Sequence, residues 1–145
     1  MVELRDLLDL PGVTFVSPDE VGITDEPVED AATFRGNAAL KARFHASRSG
    51  LPTLADDSGL EVDALGGGPG VLTRRYAGPD ASDADNNARL LGALGSLPPQ
   101  QRGARYRCVL AFIDPGAPGG GRLIFRSGSW RGRIAMSARG HGGFG

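Results

Sequence analysis

Residues 54–70 of this chain read LADDSGLEVDALGGGPG, with two adjacent carboxylates between short apolar runs and a glycine cluster behind them. Threonine, leucine and alanine at 53–55 predict the end of a buried strand, so that Asp56 and Asp57 follow at a strand terminus, where open α/β sheets place their ligands. Adjacent carboxylates repel each other unless a cation, several N–H donors or a shared proton is present. Such an environment is typical of a functional site.

The same stretch also fits an ordinary turn. In that interpretation, the carboxylates of Asp-Asp-Ser-Gly cap backbone N–H groups, and Gly59 provides a positive φ. The second glycine run, 66–68, followed by Pro69-Gly70, favours a site, because a turn alone rarely needs so much permissive backbone. Composition alone leaves both interpretations open.

Length and composition predict one soluble domain over residues 1–145, since 145 residues with 40% hydrophobic content are enough to bury a core. The net charge is −1, and no basic block indicates binding to nucleic acid or a membrane surface. Without a membrane-spanning apolar run or a signal-peptide pattern, we expect a cytoplasmic location. Cys108 is the single cysteine, which excludes an internal disulfide and a cysteine-based zinc site; its aliphatic neighbours predict a core position.

Hydrophobic periodicity and capping residues predict the elements around the 54–70 stretch. The predicted helices are 2–9, 31–49 and 83–94, the further strands are 13–16, 104–114 and 122–134, and residues 17–29 form a surface loop. The last two strands are expected to form a long antiparallel hairpin. Together these elements predict a three-layer α/β domain, in which a central twisted mixed sheet contains the hairpin and carries helices on both faces.

Two polar residues of the helix 31–49 lie four positions apart and share a face, namely Lys41 and His45. Lys41 is in a position to reach towards an anion, although a solvated lysine is the favoured interpretation. His45 has no acidic partner nearby in the sequence, so we expect a partly exposed structural histidine.

The order and spacing of short motifs over essentially the whole chain resemble the inosine triphosphate pyrophosphatase family. These motifs are Thr33-Phe34, Asn37-Ala38, Leu40-Lys41-Ala42, LADDSGLEVDALGGGPGV, Arg75-Tyr76-Ala77-Gly78, Asn86-Asn87 with Leu90-Leu91, Cys108-Val109-Leu110 and Gly142-Gly143-Phe144-Gly145. The resemblance implies hydrolysis of non-standard purine nucleoside triphosphates such as ITP, dITP and XTP to the monophosphate and pyrophosphate. It also implies a need for magnesium (Mg²⁺) and assembly as a homodimer.

The resemblance also implies roles for individual residues. Asp57 resembles the catalytic aspartate that activates water and contacts magnesium, and Glu29 resembles the metal-binding glutamate. Ser58 resembles a substrate-contacting residue, and Phe144-Gly145 resembles the start of a base-contacting Phe-Gly-Tyr-Asp element. Two carboxylates suit magnesium, which prefers oxygen ligands and is commonly held by one or two carboxylates together with waters and phosphates.

The chain departs from the family pattern at both ends and within one helix. It begins after the strand and Ser/Thr-Gly-Asn loop that hold the triphosphate, and it stops before the later residues that read the purine. We therefore expect a truncated domain with impaired activity and an unpaired sheet edge. Gly36 replaces a usual glutamate, and glycine there weakens the helix by about 1 kcal/mol relative to alanine.

Two other functions are compatible with these residues. One is a non-catalytic nucleotide-binding or dimerisation fragment, which would bind ITP saturably without releasing pyrophosphate. The other is an aspartic-protease-like homodimer, in which Asp57-Ser58-Gly59 from each chain shares a proton. The adjacent Asp56 and the predicted helices argue against the protease.

Overall fold

A computed structural model of the chain describes residues 10–139. The predicted helix 2–9 and the Phe144-Gly145 pair lie outside the described residues. The described part contains two α-helices and three β-strands: α1 Phe34–Ser49, β1 Thr53–Val62, α2 Asp83–Leu94, β2 Gly103–Ile113 and β3 Ile124–Arg133. Short 3-10 turns lie at Asp19–Val21, Asp63–Leu65, Gly70–Arg75 and Pro99–Gln101. We refer to Gly70–Arg75 as the 70–75 segment.

Both predicted helices within the described residues are confirmed, and their ends follow from capping. Thr33 caps α1 by accepting a hydrogen bond at Oγ1 from the Gly36 N–H, and Gly50 ends the helix with φ 68°. Ser82 and Asp85 form a reciprocal capping box at the start of α2. Neither helix is long and apolar enough to cross a membrane.

The strands form a small antiparallel sheet in the order β1-β2-β3, and the prediction of a mixed sheet is wrong for residues 10–139. β1 pairs with β2 from Thr53↔Ile113 to Val62↔Ala104, and β2 pairs with β3 over ten residue pairs. In the part of the chain that the structure describes, the other edge of β1 forms only an isolated bridge, Glu61↔Pro69.

Two other sequence predictions about strands are wrong. Residues 13–16 form no strand, and Val13 and Val16 are 52% and 42% exposed, because no neighbouring described strand pairs with them. β1 continues through the acidic pair to Val62, so Asp56 and Asp57 lie within a strand instead of after it. Gly59 has no positive φ, which excludes the turn interpretation.

The helices pack on opposite faces of the sheet. Phe34 and the alanines at 38, 42 and 46 of α1 pack against Val109, Ala111 and Ile113 of β2. Leu90 and Leu94 of α2 pack against Val62 and Ala104. Position 104 and the odd-numbered positions 109–113 point to opposite faces because strand side chains alternate. The face under α1 carries the candidate site.

Candidate active site

Asp57 lies in the middle of β1 on the face that α1 covers, and its residue surface is only 7% exposed. The Lys41 Nζ donates to its Oδ1 at 2.9 Å, and the Asn37 Nδ2 donates to its Oδ2 at 3.3 Å. Both donors come from α1, where residues four apart share a face. The register of helix on strand therefore provides each carboxylate oxygen of Asp57 with its own partner.

Lys41 also connects Asp57 with Glu29, since its Nζ lies 3.5 Å from the Glu29 Oε1. The two carboxylates that the sequence singled out as metal ligands thus meet at one ammonium group. The expectation of a solvated lysine is wrong, because the Lys41 side chain is only 22% exposed. The sequence contained a signal for this role, because Lys41 lies four positions after Asn37 and both belong to the quoted motifs.

Two residues near the carboxylates were not assigned roles from the sequence, although both belong to the quoted motifs. Asn37 is fully buried, and its Oδ1 accepts a hydrogen bond from the Ala31 N–H at 3.0 Å. Arg75 donates from Nη2 to the backbone carbonyl of Glu29 at 3.0 Å. The sequence does not show these contacts, because Asn37 and Arg75 meet Asp57 and Glu29 only in the folded chain, at separations of 20 and 46 positions.

The electrostatic environment of Asp57 combines burial with neighbouring charges. Burial raises the pKa of the Asp57 carboxyl above its ordinary value, and the Glu29 charge acts in the same direction, while Lys41 and Asn37 partly offset the rise. A carboxylate whose pKa is raised accepts a proton more readily than an ordinary aspartate. The environment of Asp57 thus shifts its pKa in the direction that favours proton acceptance.

Ser58 and Asp56 lie on the opposite face of the sheet from Asp57 because neighbouring strand residues alternate. The Ser58 hydroxyl donates to the Asp56 Oδ2 at 2.9 Å. The structure therefore does not bring Ser58 to the Asp57 carboxylate, and its role as a substrate contact stays a prediction. The predicted contacts of Phe144 and Gly145 lie outside residues 10–139.

The 70–75 segment packs directly against Gly59 of β1, two residues after Asp57. A Cβ at position 59 would lie 2.6 Å from the Gly70 carbonyl oxygen, 2.7 Å from the Thr73 Oγ1 and 2.8 Å from the Phe34 Cε1. The Thr73 hydroxyl accepts from the Leu60 N–H at 2.8 Å and donates to the Gly70 carbonyl at 2.6 Å. Glycine is thus required at this position by space.

Among residues 10–139 no group of three or more His, Cys, Asp or Glu side chains is arranged to hold a metal ion. The acidic part of the site consists of two carboxylates, Glu29 and Asp57, that share one ammonium. This number of carboxylates matches magnesium, which commonly keeps several waters and also binds substrate phosphates. It does not match a closed structural zinc site, which takes four protein ligands.

Comparisons with known proteins point to the same family as the sequence motifs. The family model described as the Ham1 family matches residues 1–145. A dITP/XTP pyrophosphatase of Methylococcus capsulatus is 51% identical over 143 residues, which cover 99% of this chain and 70% of that protein. Another from Thioalkalivibrio sulfidiphilus is 45% identical over 146 residues, with 99% and 71% coverage.

Solved structures of related proteins have the same fold. A HAM1 protein from Coxiella burnetii matches with a TM-score of 0.87 and 38% identity, over 99% of this chain and 72% of that one. A nucleoside-triphosphatase / dITP/XTP pyrophosphatase from Mycobacterium abscessus matches with a TM-score of 0.80 and 39% identity, over 99% and 73%. The family resemblance in the sequence is confirmed, and the chain belongs to the Ham1 family.

Proposed function

We propose that this chain hydrolyses non-standard purine nucleoside triphosphates such as dITP, ITP and XTP to the monophosphate and pyrophosphate, and so removes them from the nucleotide pool. The names of its relatives in Methylococcus and Thioalkalivibrio support this substrate class. The observation that carries the proposal is the buried Asp57 carboxylate, which faces Glu29 across the ammonium of Lys41. Two carboxylates, which would hold a metal ion and accept a proton, thus lie beside the Lys41 ammonium, which would bind a phosphate oxygen.

Glu29 and Asp57 are the residues that would hold magnesium, because both present carboxylate oxygens to the same position. When bound, the ion would neutralise charge on the triphosphate oxygens. In the described structure the single positive charge of Lys41 offsets half of the negative charge of the two carboxylates. We infer that a triphosphate draws the Lys41 ammonium towards a phosphate oxygen, since the flexible lysine stem allows this movement.

The chemical step follows from the position of Asp57. A water oxygen attacks the α-phosphorus while the Asp57 carboxylate accepts a water proton. The bond from phosphorus to the α–β bridging oxygen breaks, and pyrophosphate leaves with the electron pair. Asn37 keeps the carboxylate oriented through its hydrogen bond to Oδ2.

The test is pyrophosphate release from ITP with magnesium, measured on wild-type protein and on Asp57→Asn, with ATP as a comparison substrate. We expect release from ITP, weaker release from ATP, and a loss of at least about 100-fold in Asp57→Asn, because general-base catalysis contributes that much or more. Lys41→Met should also reduce the rate. Circular dichroism confirms that each variant is folded.

Two outcomes would contradict the proposal. Saturable ITP binding by folded wild-type protein without pyrophosphate release would support the non-catalytic fragment. Undiminished release by Asp57→Asn would remove Asp57 from the mechanism. The aspartic-protease alternative is not supported by the site, because a lysine and an amide occupy the Asp57 oxygens where that mechanism needs a second carboxylate.

We also infer a three-layer domain, a homodimer and a cytoplasmic location. Support for the layers comes from α1 and α2 packing on opposite faces of the sheet. Support for a dimer comes from β3, whose single tryptophan, Trp130, is 83% exposed. Exposed apolar side chains on an edge strand favour association. Sedimentation equilibrium tests the dimer, and a strictly monomeric species at all concentrations would contradict it.

A further inference from the structure

The metal-binding carboxylate proposed for this site stands on a segment without regular structure. Glu29 lies between the turn Asp19–Val21 and the start of α1 at Phe34. Among residues 10–139, the backbone hydrogen bonds outside regular elements stop at Ile23 and resume at the Asn37 N–H. Secondary structure therefore does not determine where the Glu29 carboxylate points, and side chains from elsewhere must hold it.

The ion pairs Lys41–Glu29 and Arg48–Asp25 connect side chains of this segment to α1, and two further side chains hold its backbone. Arg75 donates to the Glu29 carbonyl at 3.0 Å, and the Asn37 amide accepts from the Ala31 N–H at 3.0 Å. The same Asn37 amide donates to Asp57. One link therefore fixes the backbone of Glu29 itself, and the other fixes the residue two positions later.

The backbone segment that carries Arg75 is anchored to β1, the strand that carries Asp57. The 70–75 segment packs against Gly59 so closely that no Cβ fits there, and the Thr73 hydroxyl accepts a hydrogen bond from the Leu60 N–H. Arg75 ends this segment. A guanidinium is a charged donor with a planar, preorganised fork, and its hydrogen bonds are stronger than those between neutral groups.

We propose that Arg75, together with Asn37, is a positioning residue that holds the Glu29 carboxylate opposite Asp57. Arg75 contacts the Glu29 backbone and none of the proposed reacting atoms, so it acts through Glu29. The inference rests on the proposed function, because it gives Glu29 the role of a metal ligand. It extends that function to a residue 46 positions away in the sequence.

The test measures binding of Mn²⁺ by electron paramagnetic resonance, since Mn²⁺ accepts the same oxygen ligands as Mg²⁺. The variants are Arg75→Met, which removes the donors, and Arg75→Lys, which keeps the charge. Arg74→Met is the matched control, because Arg74 is the neighbouring arginine and its side chain is exposed. We expect Arg75→Met to weaken Mn²⁺ binding about 10-fold, as is usual for partners that orient metal ligands, with smaller losses in Arg75→Lys and none in Arg74→Met.

A double-mutant cycle with Glu29→Gln separates positioning from general stability. If Arg75 acts through Glu29, Arg75→Met has little further effect on Mn²⁺ binding in the Glu29→Gln background. Hydrogen exchange of the Ala31 amide, measured without metal, should accelerate in Arg75→Met but not in Arg74→Met. This second readout does not depend on catalysis or on a bound ion.

The outcomes distinguish this inference from the proposed function. Unchanged Mn²⁺ binding in Arg75→Met, or losses that simply add to those of Glu29→Gln, would overturn the positioning role. If Arg75→Met does not fold, Arg75→Gln takes its place, because its uncharged and shorter side chain reaches less far; full wild-type affinity in Arg75→Gln with no faster exchange at Ala31 would overturn the positioning role equally. Wild-type protein that binds Mn²⁺ but hydrolyses no ITP would refute only the proposed function. Wild-type protein that binds no Mn²⁺ would overturn both.

Discussion

Replacing Gly59 with alanine tests whether the close packing of the 70–75 segment on β1 shapes the site. The added Cβ would meet the Gly70 carbonyl oxygen at 2.6 Å, the Thr73 Oγ1 at 2.7 Å and the Phe34 Cε1 at 2.8 Å. These neighbours belong to two different elements, the 70–75 segment and α1. One or both must therefore move.

The expected loss of stability combines three contributions. Overpacking costs about 1–3 kcal/mol, and displacement of the Thr73 hydroxyl weakens two hydrogen bonds, each contributing about 0.5–1.5 kcal/mol. The lower conformational entropy of alanine in the unfolded chain offsets about 0.4–1 kcal/mol. We expect Gly59→Ala to lower the free energy of unfolding by about 2 kcal/mol, a large part of the stability of a small domain.

Urea unfolding followed by circular dichroism is the assay. With a denaturant slope of about 2 kcal/mol/M, the unfolding midpoint should fall by about 1 M at an unchanged slope. Gly128→Ala on β3 is the control, because a Cβ there has no heavy atom within 4 Å and the backbone has no positive φ. Equal midpoints for the two variants would refute the argument from close packing.

Three further predictions concern capping, a buried cation and pH. Ser82→Ala should lower the free energy of unfolding by about 1 kcal/mol, because it removes the N-cap of α2; no shift in thermal midpoint would contradict this. Arg102 is 1% exposed and donates to four backbone carbonyls. In urea unfolding, Arg102→Met should therefore lower the free energy of unfolding by about 3 kcal/mol or more, and Arg102→Lys should lower it less. Equal losses in the two variants would contradict a role for the carbonyl contacts. Burial and the nearby Arg48 lower the pKa of His45, whose Nδ1 is buried without a partner among the described residues. The unfolded state then binds the proton more readily than the folded state. The contribution of His45 to stability is therefore lost as pH falls below about 6.5. His45→Gln should flatten the decline in thermal midpoint on acidification.

Local signals predicted the helices well. Thr33, Gly50 and Ser82 mark helix ends because their side chains or φ angles satisfy backbone groups within a few residues. The strand β2 was also predicted, over residues 104–114 where the structure has Gly103–Ile113. The extent of β1 was not readable, because a strand that contains two aspartates depends on partners from β2 and α1.

The candidate site was partly predictable. Family motifs pointed to Glu29 and Asp57, and the structure brings both to Lys41. The same motifs pointed to Ser58, which lies on the other face of the sheet because β1 continues through it. A dipeptide pattern does not specify which of two neighbouring residues faces the helix; only the strand register does so.

The sequence by itself determined the two described helices and the family, and it led to the proposal of Glu29 and Asp57 as the carboxylates of the site, since each depends on residues close together in the chain or on motif order. The tertiary structure alone decided that Lys41 joins Glu29 to Asp57, that Asn37 and Arg75 hold the Glu29 segment, and that position 59 has no room for a side chain. These are contacts between residues 6 to 46 positions apart. Their distances depend on how α1 and the 70–75 segment pack on β1, which no local pattern encodes.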